Sequence, residues 1–248
     1  MKINTLIADR KTGEIVNDDY RTATVFDHFD IDYCCQGGQT VREACRAAKL
    51  SLSEVCRALE QVVDSPPDVQ DRNMDCSFWP LDLLADYIEK KHHRYVLDQI
   101  PVVEEYLDKV VAAHGQLHPE LGGIRELFHE SAAELTVHMR KEELILFPFI
   151  RKQERARNET GDTPHPGFNA LENPISIMKQ DHAKEGERFR EIRRLARQYL
   201  PPEDACNTYR VTYRLLQAFE EDLHLHIHLE NNVLFPRSLG GKAKSPGI

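Results

Sequence analysis

One pattern constrains this chain more than any other: a run of ligand-type residues that occurs twice. His138 and Glu142 lead into Leu146, Phe147 and Pro148, and His226 and Glu230 lead into Leu234, Phe235 and Pro236 at the same internal spacing, 88 residues further on. Each copy has an upstream histidine, His93 lying 45 residues before His138 and His182 lying 44 before His226. On an α-helix, residues four apart are separated by ~6 Å of rise and ~40° of rotation, so each His/Glu pair projects from one face toward one point. Four histidines and two glutamates from four helices describe a two-metal site inside a bundle.

The rest of the chain permits that site and excludes other classes. At 248 residues, 41% hydrophobic and 29% charged, the composition is that of an ordinary soluble chain long enough to bury a core. No apolar run approaches the ~20 residues of a membrane span. The N-terminus, with Lys2, Asp9, Arg10, Lys11 and Glu14, lacks the apolar core of a signal peptide, so a cytoplasmic location is expected. A formal charge of −9 with mixed signs argues against a nucleic-acid partner, which needs clustered positive charge to displace counterions from phosphates. The six cysteines, at 34, 35, 45, 56, 76 and 206, form no CxxC pair, so reduced thiols are the default.

The fold class expected is all-α, an up-down four-helix bundle with a small N-terminal helical module. Residues 1–22 are polar without a clear period and read as a flexible arm. Residues 23–64 carry two helix signals, each opened by a capping box: Thr40 with Glu43, and Ser51 with Glu54. The proline-broken stretch 65–76 reads as a linker. Four long patterns then fill 77–240, all with steps of three or four and none with a period of two. They run through Leu81, Leu84, Ile88, Val96, Ile100 and Val103; Ile124, Leu127, Leu135, Ile145 and Phe149; Ile175, Met178, Phe189 and Ile192; and Tyr209, Leu216, Phe219, Leu223 and Val233. The charged, Gly- and Pro-containing stretch Arg151 to Pro174 reads as a surface loop separating the two halves, and 241–248 as a tail.

A single histidine on an apolar helical face is most often hydrogen-bonded core. The glutamates change that reading, because Glu142 and Glu230 fall on the stripe that carries Ile145 and Val233, and buried carboxylates are rarely tolerated without a partner or a metal. A carboxylate and imidazole set without thiolate suits iron, manganese or zinc better than copper(I) or a cluster. Should both glutamates bridge, each metal receives two nitrogens and two oxygens, leaving room for an oxo or hydroxo bridge and an open position. Periodicity does not choose between His92 and His93; the repeat spacing favours His93. His224 and His228 flank His226 on neighbouring faces and suit solvent or supporting roles. Glu134, four before His138, and Asp181, just before His182, are candidates to hydrogen-bond the ligand rings, with a solvated face as the equal alternative.

The N-terminal module has one sharp motif, from Ile31 through Cys34, Cys35, Gly37 and Gly38 to Thr40. Adjacent cysteines make a poor chelate and a strained disulfide. The glycines permit a tight turn before the capped helix, where a thiol would meet the positive helix end and have its pKa lowered. That favours thiolate exchange, transient metal binding or contact between subunits; two small buried residues at a turn is the plain alternative.

DYCCQGGQT at 32–40, followed by HMRKEELILFP at 138–148, SIMKQDH at 176–182 and HIHLENNVLFP at 226–236, resembles the Repair of Iron Centres family of hemerythrin-like di-iron proteins, from about Val25 to Leu239. The resemblance implies a non-haem centre of two iron ions, oxo- or hydroxo-bridged, in a hemerythrin-like bundle. It implies His93, His138, Glu142, His182, His226 and Glu230 as ligands, His93 preceding Pro101 by eight residues as the family's first histidine does. Cys34 and Cys35 match the family's paired cysteines. The implied role is repair of iron-sulfur clusters or other iron centres damaged by nitrosative or oxidative stress, by iron donation, rather than conventional enzyme turnover. Nitric oxide reduction at the same centre is a further implied chemistry. The implied partners are damaged iron-sulfur or di-iron proteins, nitric oxide or oxygen, and a second copy in a homodimer. A hemerythrin-like carrier or sensor of oxygen or nitric oxide is the alternative.

Overall fold

The long apolar stripes form the helices they predict, and three of those helices are interrupted where a candidate ligand stands. The computed structural model describes residues 5–66, 76–160 and 168–240. Among them no strand occurs, only an isolated bridge between Lys11 and Thr40. Contacts divide the chain into two units, Met1–Pro80 with Ile227–Ile248, and Leu81–His226.

The first unit holds α1 (Thr5–Ala8), α2 (Thr12–Asp18), a 3-10 turn at Tyr20–Thr22, α3 (Ala23–His28), α4 (Val41–Ala48) and α5 (Leu52–Asp64). Where a flexible arm was expected, residues 5–22 are therefore helical, with Ala8, Ile15 and Val16 buried. These elements are too short to display a period, and helices of this length are held by tertiary contacts rather than propensity. Thr12 donates its N–H to the Gln39 carbonyl at 2.9 Å and Gly13 donates to Gly37 at 3.0 Å. Thr40 and Glu43 close the expected capping box on α4. Ser51 does not cap α5; its hydroxyl lies 3.0 Å from that of Ser53 instead. Of the linker expected at 65–76, residues 67–75 lie outside the described residues, as does the 241–248 tail.

The second unit is the bundle. Its helices are α6 (Leu81–Tyr87), α7 (Arg94–His114), α8 (Glu120–Lys141), α9 (Phe147–Thr160), α10 (Phe168–Leu195) and the body of α11 (Asn207–His228). Neighbours run antiparallel. Glu104 reaches His129 at 2.8 Å and Asp108 reaches Arg125 at 3.5 Å between α7 and α8, the partner number falling as the first rises. Phe128, Phe189 and Phe219, all fully buried, bring α8, α10 and α11 together with ring centroids 5.1 to 6.5 Å apart. Each such burial contributes roughly 1.5–3 kcal/mol.

The expected surface loop at 151–174 is largely helix: α9 runs on to Thr160 and α10 begins at Phe168, with 161–167 outside the described residues. The charge that suggested a loop belongs to strong helix formers, Lys152 to Ala156. Arg151 also anchors the segment, donating Nε to Asp86 at 2.9 Å and Nη2 to Glu89.

Three π turns punctuate the long helices. Ile88–His93 joins α6 to α7, Glu142–Leu146 joins α8 to α9, and Leu229–Leu234 joins α11 to α12 (Phe235–Ser238). Each inserts a residue and shifts the register of the helix downstream of it, a device common at functional sites. Ile145, expected in the core, is for that reason 65% exposed, while Leu146 and Phe147 are buried.

A buried ion pair ties α10 to α11. Arg193 donates Nε to both oxygens of Glu220 at 3.1 Å and Nη2 to one of them at 2.8 Å. Arg193→Ala, which strands the buried carboxylate, is expected to lower unfolding free energy by about 3–5 kcal/mol in a denaturant titration. Arg193→Met with Glu220→Leu should recover most of that loss. A single variant costing under about 1 kcal/mol would show that the pair is solvated.

Candidate metal centre

Each candidate ligand owes its direction to the helix beneath it. His93 ends the first π turn, Glu142 opens the second and Glu230 lies in the third. His138 comes from α8, His182 from α10 and His226 from α11. All six are buried.

Their nitrogens meet in pairs. His93 Nε2 lies 3.2 Å from His226 Nε2, and His138 Nε2 lies 2.9 Å from His182 Nε2. Two nitrogens sharing one ion at about 2.1 Å stand roughly 3.0–3.4 Å apart, a spacing that the first pair meets and the second undershoots by about 0.1 Å. Glu142 stands between the pairs, Oε2 at 3.5 Å from His93 and Oε1 at 3.3 Å from His138. Glu230 follows His226 by one helical turn, which fixes its place. Two groups result, His93, Glu142, His226 and Glu230, and His138, Glu142, His182 and Glu230, with the ligand atoms of each within 4.8 Å of one another. The two carboxylates are common to both.

Carboxylates outside the groups orient the rings. Glu143 Oε1 is 2.8 Å from His93 Nδ1, and Asp181 Oδ2 is 3.3 Å from His138 Nδ1. A carboxylate at Nδ1 holds the ring hydrogen there and leaves Nε2 as a lone pair, the tautomer a metal requires. The interior thus gathers two carboxylates and the inward Nε2 atoms of four histidines, a donor set that fits a cation. A cleft of about 420 Å³ opens beside His138 and His182, with Glu134, Lys141, Asp181 and Glu185 among its lining residues. Burial pushes the Glu185 carboxyl up, against the Ser131 hydroxyl that donates to it at 2.6 Å.

The candidates fall out unequally. Asp181 meets a ligand ring; Glu134 does not, because it turns to Arg188 at 3.1 Å and is 56% exposed. His92 and His93 are both fully buried, and only His93 faces the groups, His92 Nδ1 pairing with Asp222 at 3.1 Å. His228 is neither at solvent nor on a ligand: it is buried in the first unit, with Nε2 at 2.8 Å from Asn17, and desolvation pulls its pKa down to about 4. Glu143 escaped the sequence reading, although a second glutamate directly after a candidate ligand is the signal that would have found it.

In the first unit Cys34 is buried and Cys35 half-buried, with sulfurs 3.8 Å apart. The Cys34 pKa is raised, not lowered as expected. The hydrogen bond to the Cys35 thiol and then burial drive it up, and α4 begins too far along the chain to offset them. Asp32, also missed, caps the loop, its Oδ1 accepting from Cys35 N–H at 2.8 Å, Gln36 N–H at 3.2 Å and the Cys34 thiol at 3.5 Å.

An all-α bundle with paired histidines around two shared carboxylates defines a class of metal-binding protein, and comparison with known proteins agrees. The hemerythrin HHE cation binding domain matches residues 84–238, and the ScdA_N domain, a domain of unknown function (DUF542), matches residues 8–63. The chain belongs to the hemerythrin HHE cation-binding family, which implies iron binding. It is 32% identical over 234 residues to proteins named iron-sulfur cluster repair protein YtfE from Salmonella typhimurium, Salmonella paratyphi B and Salmonella newport. The alignment covers 94% of this chain and 98% of each relative.

Asp181→Asn and Glu143→Gln are each expected to weaken iron binding about 10–100-fold in competition with a chelator. Glu134→Gln should leave it unchanged. Equal effects at all three positions would mean that general charge, not ring orientation, governs affinity.

Proposed function

We propose that this protein repairs iron-sulfur clusters and other iron centres damaged by nitrosative or oxidative stress, and that it does so by releasing iron from a two-iron site. The observation that carries the reading is the pair of four-residue groups sharing Glu142 and Glu230 and containing no thiolate. His93 and His226 would hold one iron, His138 and His182 the other, and the two glutamates would bridge them, neutralising the repulsion between the cations. Bound there, iron supplies a redox-active, exchangeable ion. Imidazole and carboxylate hold ferrous iron less tightly than a soft sulfur scaffold does, so transfer toward a sulfur-ligated recipient runs downhill. The name of the Salmonella relatives and the joining of both domains in one chain support the same reading.

The chain's own groups suit release. The cleft beside His138 and His182 reaches the second pair from outside, its walls carrying Glu134, Asp181 and Glu185 together with Lys141 and Lys184. The same opening admits a molecule as small as nitric oxide or oxygen, which keeps gas binding or nitric oxide reduction as the second reading. No described helix is long and apolar enough to cross a membrane, and damaged cytoplasmic cluster proteins are the proposed recipients.

The test separates the two readings. Iron-loaded protein should restore activity to a cluster enzyme inactivated by nitric oxide, lose its iron to a moderate ferrous chelator when reduced, and contain two irons per chain by elemental analysis. Glu142→Ala should bind less iron and restore nothing, and His93→Ala should lose more iron than His92→Ala. Reduced protein that keeps both irons, binds nitric oxide reversibly and reactivates nothing would replace the repair reading with the sensor.

A further inference from the structure

We propose that Asp32, Cys34 and Cys35 form a second metal site for a thiophilic divalent cation, of the ferrous iron or zinc type, with one position left open for exchange. Their ligand atoms lie within 4.8 Å of one another. Two edges of the group have the dimensions of a coordination tetrahedron. With metal–sulfur bonds of about 2.3 Å and a metal–oxygen bond of about 2.1 Å, such a tetrahedron has edges of roughly 3.8 Å between sulfurs and 3.6 Å between oxygen and sulfur. The sulfurs stand 3.8 Å apart, and Asp32 Oδ1 stands 3.5 Å from Cys34 Sγ. Adjacent cysteines in extended backbone would point apart; here the loop turns both to one side.

The loop is held in that shape independently of any ion. Backbone N–H groups of Cys35 and Gln36 fix the Asp32 carboxylate. Asn231 Nδ2 donates to the Cys34 carbonyl at 3.2 Å, and Asn232 Nδ2 donates to the Cys34 and Tyr33 carbonyls at 3.1 and 3.2 Å. A side chain at Gly37 would come within 2.5 Å of the Tyr33 carbonyl oxygen and of Asn232 Oδ1, so only glycine lets the asparagine seat. Binding exchanges two S–H bonds for two metal–sulfur bonds and releases two protons to solvent, with no change of oxidation state. Structural sites take four protein ligands, whereas three leave a position through which an ion enters and leaves. Cys34 is buried and Cys35 partly exposed, so the site opens on one side. It stands whether or not the histidine and glutamate centre gives up its iron.

Cobalt(II) added to the full-length, iron-loaded, reduced protein is the probe. One additional cobalt per chain is expected, with sulfur-to-cobalt charge transfer in the near ultraviolet, which imidazole and carboxylate ligands do not produce. Cys34→Ser and Cys35→Ser should each lose that band while retaining the iron content and helical circular dichroism of the parent. Asp32→Asn, which keeps an acceptor for the two backbone N–H groups, should shift the titration to higher cobalt. Zinc should displace the cobalt and bleach the band. Cys206→Ser is the control, because that thiol is exposed and lies 3.1 Å from His114 Nε2; it should leave the band intact. Should Cys34→Ser fail to fold, the half-buried Cys35→Ser decides alone. No band in the parent protein, or a band that survives Cys35→Ser or vanishes with Cys206→Ser, overturns the proposal.

Discussion

Two carboxylates with no solvent exposure, set among four buried histidines, are the constraint on which the bundle depends. Removing a carboxylate from water costs several kcal/mol even after relaxation. A neutral imidazole repays part of this by donating a hydrogen, but Glu143 and Asp181 draw the ring hydrogens of His93 and His138 outward. What remains inside is an excess of acceptors. Protonating the glutamates would relieve it at the loss of their charge, whereas a bound cation would relieve it and keep that charge in use. Antiparallel packing, with its stacked phenylalanines and the Arg193–Glu220 pair, keeps the four helix segments close enough for that arrangement to persist.

The helices that carry these groups are not regular throughout, because π turns contain His93, Glu142 and Glu230. Ligands from four helices must meet at one level, yet the apolar stripes on either side must also stay in the core. A π turn at His93, at Glu142 and at Glu230 resolves the conflict locally, since one extra residue redirects a side chain and returns the helix to a new register. The cost is visible at Ile145, which leaves the core so that Leu146 and Phe147 can enter it. It also explains the two adjacent buried histidines. The wider turn lets both His92 and His93 face inward, and the difference between them is partner, Asp222 for one and the metal groups for the other.

What could be read from the sequence was whatever repeats over several turns. His93 and His182 followed from the matched long spacing of the repeat. The four-residue step picked out His138 with Glu142 and His226 with Glu230, because such a step on a helix is a geometric statement independent of tertiary detail. The Thr40 cap was legible for the same reason. Features set by single tertiary contacts were not: Ser51 pairs with Ser53 rather than capping, residues 5–22 fold against neighbours that their composition does not advertise, and Glu134 prefers Arg188 to a ligand ring. Charge misled at 151–160, where salt bridges from Arg151 to Asp86 and Glu89 sustain a helix that composition alone assigns to a loop.

The two constellations differ in donor chemistry, and the difference has a direction. Nitrogen and oxygen donors suit a borderline ion and bind it through geometry and charge; sulfur donors suit a softer partner and bind it through covalency. The π turn Leu229–Leu234 carries Glu230 and, immediately after it, the two asparagines whose amides grip the carbonyls of the cysteine loop. Replacing both asparagines by residues that cannot donate would remove all three amide bonds to the loop that orients both sulfurs. The carboxylate and the thiols are therefore set by one short segment of helix but by different atoms of it. That separation lets the two sets of donor atoms be tuned independently.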